Sequence, residues 1–140
     1  MIIGYYSQKN CEDYVTLITS RGSNSGDISR THDKKSFVTN NSFIVQAYSP
    51  CYGLPYVYET MLCMDFKSIC TGSAQLQLTN NSISTLKLTI PSEDLVVHFC
   101  KVAQPYFSEI ETLIKKIRLS TEARDRLLPK LMGRELEDVL

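Results

Sequence analysis

Residues 71–91 read TGSAQLQLTNNSISTLKLTIP. The segment opens on a Gly turn, alternates small polar with apolar residues, and stops at a proline. It contains no His, Cys, Asp or Glu, and Lys87 is its only charge. Leu76 and Leu78 alternate with polar neighbours, and Ile83, Leu86, Leu88 and Ile90 nearly do, which predicts extended segments or two short strands. Immediately after it, Pro91-Ser92-Glu93-Asp94 has the form of a helix start, with Ser92 as N-cap and acids in the first turn. These residues therefore join a β-containing part of the chain to a helical one, and the fold class follows: α+β, a small mixed unit followed by a long C-terminal helical arm of the coiled-coil or helix-pair type.

N-terminal to that junction, Val15 to Ile18 predicts a short strand. Ser20 to Lys35 is dense in Ser, Gly, Asn and Asp and predicts turn and loop. Phe37 to Thr39 and Phe43 to Tyr48 are β-rich runs, and Asn40-Asn41 between them is a hairpin or bulge signal. Ser49 to Pro55 predicts a turn. Tyr56 to Ile69 predicts a well-buried helix, with Val57, Met61, Met64 and Ser68 on one face and Gly72 as its left-handed cap.

C-terminal to the junction, the helical pattern runs to about Val102. Gln104-Pro105 predicts a break or kink, with Pro105 opening a new helix. Ala103, Tyr106, Ile110, Leu113 and Ile117 recur at intervals of three and four, the a/d seam of a heptad, and the register continues through Ser120, Arg124, Leu127 and Leu131. The seam is polar in its middle and apolar again beyond. Pro129 predicts an interruption, and residues 133–140 a frayed end. The expected domains are residues 1–91 and 92–140, with Tyr106, Ile110, Leu113, Ile117, Leu127 and Leu131 as the helix-pairing interface.

Composition narrows the function classes. The chain has 140 residues, 43% apolar and 9% aromatic, which suits one ordinary core. Fifteen Lys and Arg balance fifteen Asp and Glu. Neutrality argues mildly against nucleic acid, whose ligands are usually basic on one face. Five cysteines, an odd number with no Cys-x-x-Cys spacing, read as free thiols in a reducing cytosol. No long apolar run predicts a membrane span, and the start lacks the pattern of a signal peptide, so a cytoplasmic location is expected. The two histidines, His32 in a polar loop and His98 on a half-buried helix face, form no catalytic set, and no residues are spaced as metal ligands. Gly22 to Gly26 lacks the Lys-Ser/Thr of a phosphate-binding loop. The sequence thus predicts a chain that reads or docks and does not catalyse, with no metal and no cofactor of its own.

The loop from Ser20 to Lys35 nevertheless sets short donors and cations on a Gly-permitted backbone, as contacts to phosphate and base edges require. In context, four stretches resemble the specificity subunits of type I restriction-modification systems. These are LITSRGSNSGDI with NNSFIVQAYSP after it, TGSAQLQLTNNSISTLKLTIPSEDL, and the tail EARDRLLPKLMGREL. The tail is similar to the Arg-Asp-x-Leu-Leu-Pro-Lys-Leu-Leu/Met-(Ser)-Gly-Glu ending of that family, without its Ser before Gly133. The likeness covers most of residues 15–136.

The resemblance implies a target-recognition domain, incomplete at its N-terminal side, joined to a conserved helix that serves as spacer and dimerisation element. It implies double-stranded DNA as ligand, with one half of a split site read by each such domain. It also implies methyltransferase subunits and a restriction subunit as partners, which would hold the S-adenosylmethionine, ATP and Mg²⁺. The expected DNA contacts are Arg21 and Ser23 on one motif and Ser73 on another, with Arg30, His32, Lys34, Lys35, Lys67 and Gln75 chosen for their chemistry. The alternative is a truncated interaction module that pairs through its helix, as a homodimer or with a partner, without touching DNA.

Overall fold

The computed structural model describes residues 9–73 and 75–137. The fold is α+β: a small antiparallel sheet with helices on it, ending in one long C-terminal helix. Two compact units divide between Gln104 and Pro105, so the first turns of the long helix belong with the sheet.

In the first unit, strand β1 (Thr16–Thr19) is central, flanked by β2 (Ile28–Arg30) and β3 (Ser42–Val45), both antiparallel to it. β1 lies where a strand was expected, and it forms a hairpin with β2, which falls inside the stretch expected to be all loop. The sequence hides β2 because it is a three-residue edge strand whose pairing comes wholly from β1. The expected hairpin at Asn40-Asn41 does not form either. β3 pairs with β1 across the chain, while Val38 is held by the Asn10 side chain, which donates to its carbonyl and accepts from its N–H at 2.7 Å each. An amide there occupies the place of a strand partner.

Helix α1 (Leu54–Leu62) starts on Pro55 in its first turn and ends well before Ile69. The cause is local. Asp65 Oδ1 accepts from the Ser68 N–H at 3.2 Å, a bond that competes with helix continuation, and a 3-10 turn over Lys67–Ile69 follows. This reversal delivers Phe66 into the core. α1 lies on the sheet, and Ile18, Val57, Met61, Phe66 and Leu78 form the buried cluster, with Ile28, Phe43, Val45 and Ile83 packed against it.

The quoted segment forms no strands of its own. Gln77 makes single bridges to Arg21 and Thr71, and Asn80–Ser84 is a short helix, α2. This helix replaces the extended structure expected here, and it is capped by Thr79, whose hydroxyl accepts from the Ser82 N–H at 3.2 Å. Residues 86–90 have the alternation of a strand, but among the described residues none pairs with them, and Leu88 and Ile90 are exposed. Leu78, by contrast, is 1% exposed and is fixed by its N–H to the Ser20 carbonyl at 2.8 Å. Leu78→Ala is therefore expected to lower the free energy of unfolding by about 3 kcal/mol, read from urea denaturation at constant slope.

The long helix, α3 (Glu93–Glu137), begins where the sequence placed it, with Glu93 and Asp94 in its first turn and the Val96 N–H on the Ser92 carbonyl. Within the first unit Val96 is buried, and Phe99 meets the Tyr56 ring edge-on at 6.4 Å. His98 is exposed instead of half-buried. The helix runs on through Pro105, where a break or kink was expected, and through Pro129, where an interruption was. Each proline removes one i→i−4 bond at a cost of about 3 kcal/mol, a local loss that the intact turns on both sides outweigh.

Candidate nucleic-acid interface

The loop that joins β1 to β2 turns on two glycines with positive φ, Gly22 at +92° and Gly26 at +88°. It is closed by the Ser25 N–H on the Gly22 carbonyl and the Gly26 N–H on Thr19. Residues 71–77 make a second tight loop around Gly72, at φ +106°, closed by reciprocal N–H bonds between Thr71 and Gln77 of 2.9 and 2.7 Å.

The two loops lie side by side. Arg21 bridges Gln77 antiparallel, and the Gly22 N–H donates to the Leu76 carbonyl at 3.1 Å. Gly26 rests on the 3-10 turn, where an added Cβ would stand 3.0 Å from the Lys67 nitrogen. Beside it, Lys67 Nζ lies 2.7 Å from Asp27 Oδ1. The Arg-Gly-Ser and Thr-Gly-Ser motifs, remote in sequence, are therefore neighbours on one surface.

Of the nine residues expected to contact DNA, this surface brings together Arg21, Ser23, Lys67, Ser73 and Gln75, all exposed. Among the described residues nothing pairs with the Arg21 side chain, whereas the ammonium of Lys67 is held by Asp27, whose hydrogen bond also pushes the lysine's pKa up. Arg30 is different. It is only 8% exposed, with its guanidinium 6.0 Å over the Tyr58 ring, and stands in the packing between β2 and α1. His32 is half-buried just beyond β2. Lys34 lies toward Asp13 and Tyr14, at 3.9 Å and 5.9 Å, and Lys35 is exposed next to it in sequence. These last three follow β2 and are not part of the two-loop surface.

Sequence reasoning passed over Gln77 and Asp27. Gln77 joins the two loops through its backbone, which no side-chain pattern announces. Asp27 matters through its pairing with Lys67, a contact between residues forty apart. The charge of the surface is balanced: Arg21 and Lys67 stand against Asp27 and Asp65.

No protein-family model matches this chain, and no curated protein matches it. Functional assignment therefore rests on its own residues. In the first unit an apolar cleft of about 350 Å³ opens between Val45, Tyr48, Tyr56, Met61, Leu88 and Ile90, with no carboxylate, histidine or cysteine in its lining. Among the described residues no three His, Cys, Asp or Glu gather as metal ligands, and no helix is long and apolar enough to cross a membrane. The five thiols are unpaired, and burial pushes the pKa of Cys11 up.

In the second unit, the six side chains expected to form a pairing interface, Tyr106, Ile110, Leu113, Ile117, Leu127 and Leu131, are all 45–68% exposed. Their stripe is interrupted at Ser120 and Arg124, and the Arg124 guanidinium donates to Asp125 Oδ1 at 2.6 and 2.8 Å.

Proposed function

We propose that this chain is a DNA sequence-specificity module of a type I restriction-modification complex. In this reading it binds one half of a bipartite duplex site through the two-loop surface and docks methyltransferase subunits through its long helix. The chain itself is not catalytic. S-adenosylmethionine, ATP and Mg²⁺ belong to the methyltransferase and restriction subunits, and the complex works in the cytoplasm. The observation that carries this reading is the adjacency of the Arg21-Gly22-Ser23 and Thr71-Gly72-Ser73 motifs, linked through Gln77.

The chemistry of that surface fits duplex DNA. Serine hydroxyls and the N–H groups of Gly-rich loops contact phosphate and sugar oxygens, and an unpaired arginine fork matches O6 and N7 of guanine. Overall neutrality suits a subunit whose partners supply most of the phosphate contacts.

The test is fluorescence anisotropy with labelled duplex DNA, with and without the cognate methyltransferase subunits, across a salt series. Affinity is expected to fall linearly on a log–log plot, and Arg21→Ala to weaken binding by about tenfold or more. Salt-independent affinity, or no binding even with the partner subunits present, would sink the reading.

A second reading has its own support in the exposed stripe from Tyr106 to Leu131. On that reading the helix pairs with a copy of itself or with a partner, and no DNA contact is needed.

A further inference from the structure

We infer that Asp27 sets the phosphate affinity of the two-loop surface: its carboxylate competes with nucleic-acid phosphates for Lys67, so that between the two cations of this surface Arg21 is the one left unpaired among the described residues. The inference rests on the DNA reading above and adds to it a residue that lowers affinity for every duplex.

The pairing is built into the fold. Gly26, at φ +88°, lets the loop settle against the 3-10 turn, within 3.1 Å of both Phe66 C and Lys67 Cγ for an added Cβ. The Gly26 N–H on Thr19 and the Thr19 N–H on the Asp27 carbonyl, at 2.8 and 2.9 Å, then fix the backbone from which the carboxylate reaches Lys67 Nζ at 2.7 Å. With Asp65 two residues before Lys67, the surface carries two positive and two negative side chains, counting Arg21 and Lys67 against Asp27 and Asp65.

A neutral surface gains little from counterion release, the sequence-independent part of DNA affinity. The Lys67 and Asp27 side chains are 68% and 44% exposed, so the ion pair is weak enough for a phosphate to take the ammonium from it. That competition lowers affinity for every duplex alike, by about two- to fivefold. A base contact made by Arg21 is not subject to it. Because the loss at Lys67 is common to all sequences, it lowers the absolute affinity and leaves the ratio of specific to non-specific binding unchanged.

The experiment measures the full chain on a random-sequence duplex over a salt series, for wild type, Asp27→Asn, Asp27→Glu, Lys67→Ala and the Asp27→Asn/Lys67→Ala pair. Far-UV circular dichroism and a denaturation midpoint verify folding for each. Asp27→Asn is expected to bind about two- to fivefold tighter, with a log–log salt slope steeper by at most about 0.9, one phosphate's worth. Asp27→Glu keeps the carboxylate and should stay near wild type. The double variant should match Lys67→Ala.

Asp27→Asn binding no tighter than wild type overturns the inference and leaves the DNA reading standing. Equal tightening in the Lys67→Ala background also overturns it, because Asp27 would then act on the DNA directly. No detectable DNA binding by any variant overturns both.

Discussion

On the self-pairing reading of the long helix, replacing Ile110, Leu113 and Ile117 together by asparagine is expected to turn a dimer into a monomer, as read by sedimentation equilibrium. The three side chains sit on the a/d stripe and are 45%, 46% and 65% exposed. They contribute little to the fold of their own chain, so far-UV circular dichroism should be unchanged. On that reading they are buried only on association. Covering an aliphatic side chain of this size is worth about 1.5–3 kcal/mol, and in a symmetric pair each occurs twice. Even with the entropic cost of association, losing all six should weaken the dimer by on the order of 10³-fold or more. A conservative comparison is Ser120→Leu, which extends the apolar stripe. It should tighten association while admitting more than one register, because a polar seam position penalises wrong alignments. A wild-type chain that stays monomeric at about 100 μM would refute the pairing role of this stripe, since a dimer held by six aliphatic side chains should be populated well below that concentration.

The second large effect is expected at Gly72. Its φ of +106° lies where side-chain-bearing residues are strained, and an added Cβ would fall 2.3 Å from the Gln75 carbonyl oxygen, a backbone atom that cannot swing aside. Gly72→Val therefore has to open the turn between Thr71 and Gln77. The expected loss of stability is about 3 kcal/mol or more, from backbone strain and overpacking together. Because Gln77 links this turn to Arg21, opening it should also separate the two motifs and lower DNA affinity by at least about tenfold.

Gly22 supplies the internal control. Its φ is +92°, but no atom lies within 4 Å of the position a Cβ would take. Gly22→Ala should cost only about 1 kcal/mol, the strain of the left-handed backbone alone, and keep most of the affinity. Urea denaturation and anisotropy on the same samples separate the two substitutions. Equal losses for Gly22→Ala and Gly72→Val would mean that the 2.3 Å approach is not what holds the turn.

Local chemistry explains which features were readable in advance. Glu93 and Asp94 after Ser92 announced the long helix, and the three-and-four spacing from Tyr106 to Ile117 announced an apolar stripe that is exposed in the structure. Val57 and Met61 were legible as the buried face of α1 because their spacing is helical. These signals sit within a few residues of one another, where the handedness and period of the backbone convert spacing into direction. The α+β class and the C-terminal helix were therefore determined by the sequence alone.

What the sequence could not supply were partners distant along the chain. β2 exists because β1 offers it hydrogen bonds, and residues 86–90, which alternate like a strand, have no such partner among the described residues. Phe66 turns out of the line of α1 because it finds the core around Ile18 and Leu78. The helix passes Pro105 and Pro129 because a local penalty is smaller than the sum of the flanking turns. The candidate surface follows the same logic. Arg21, Ser23 and Ser73 could be picked out by motif, but only the folded chain sets Gln77 between two loops and Asp27 against Lys67. A strand pairing or an ion pair is a free energy shared by two segments, and a single segment's composition does not contain it.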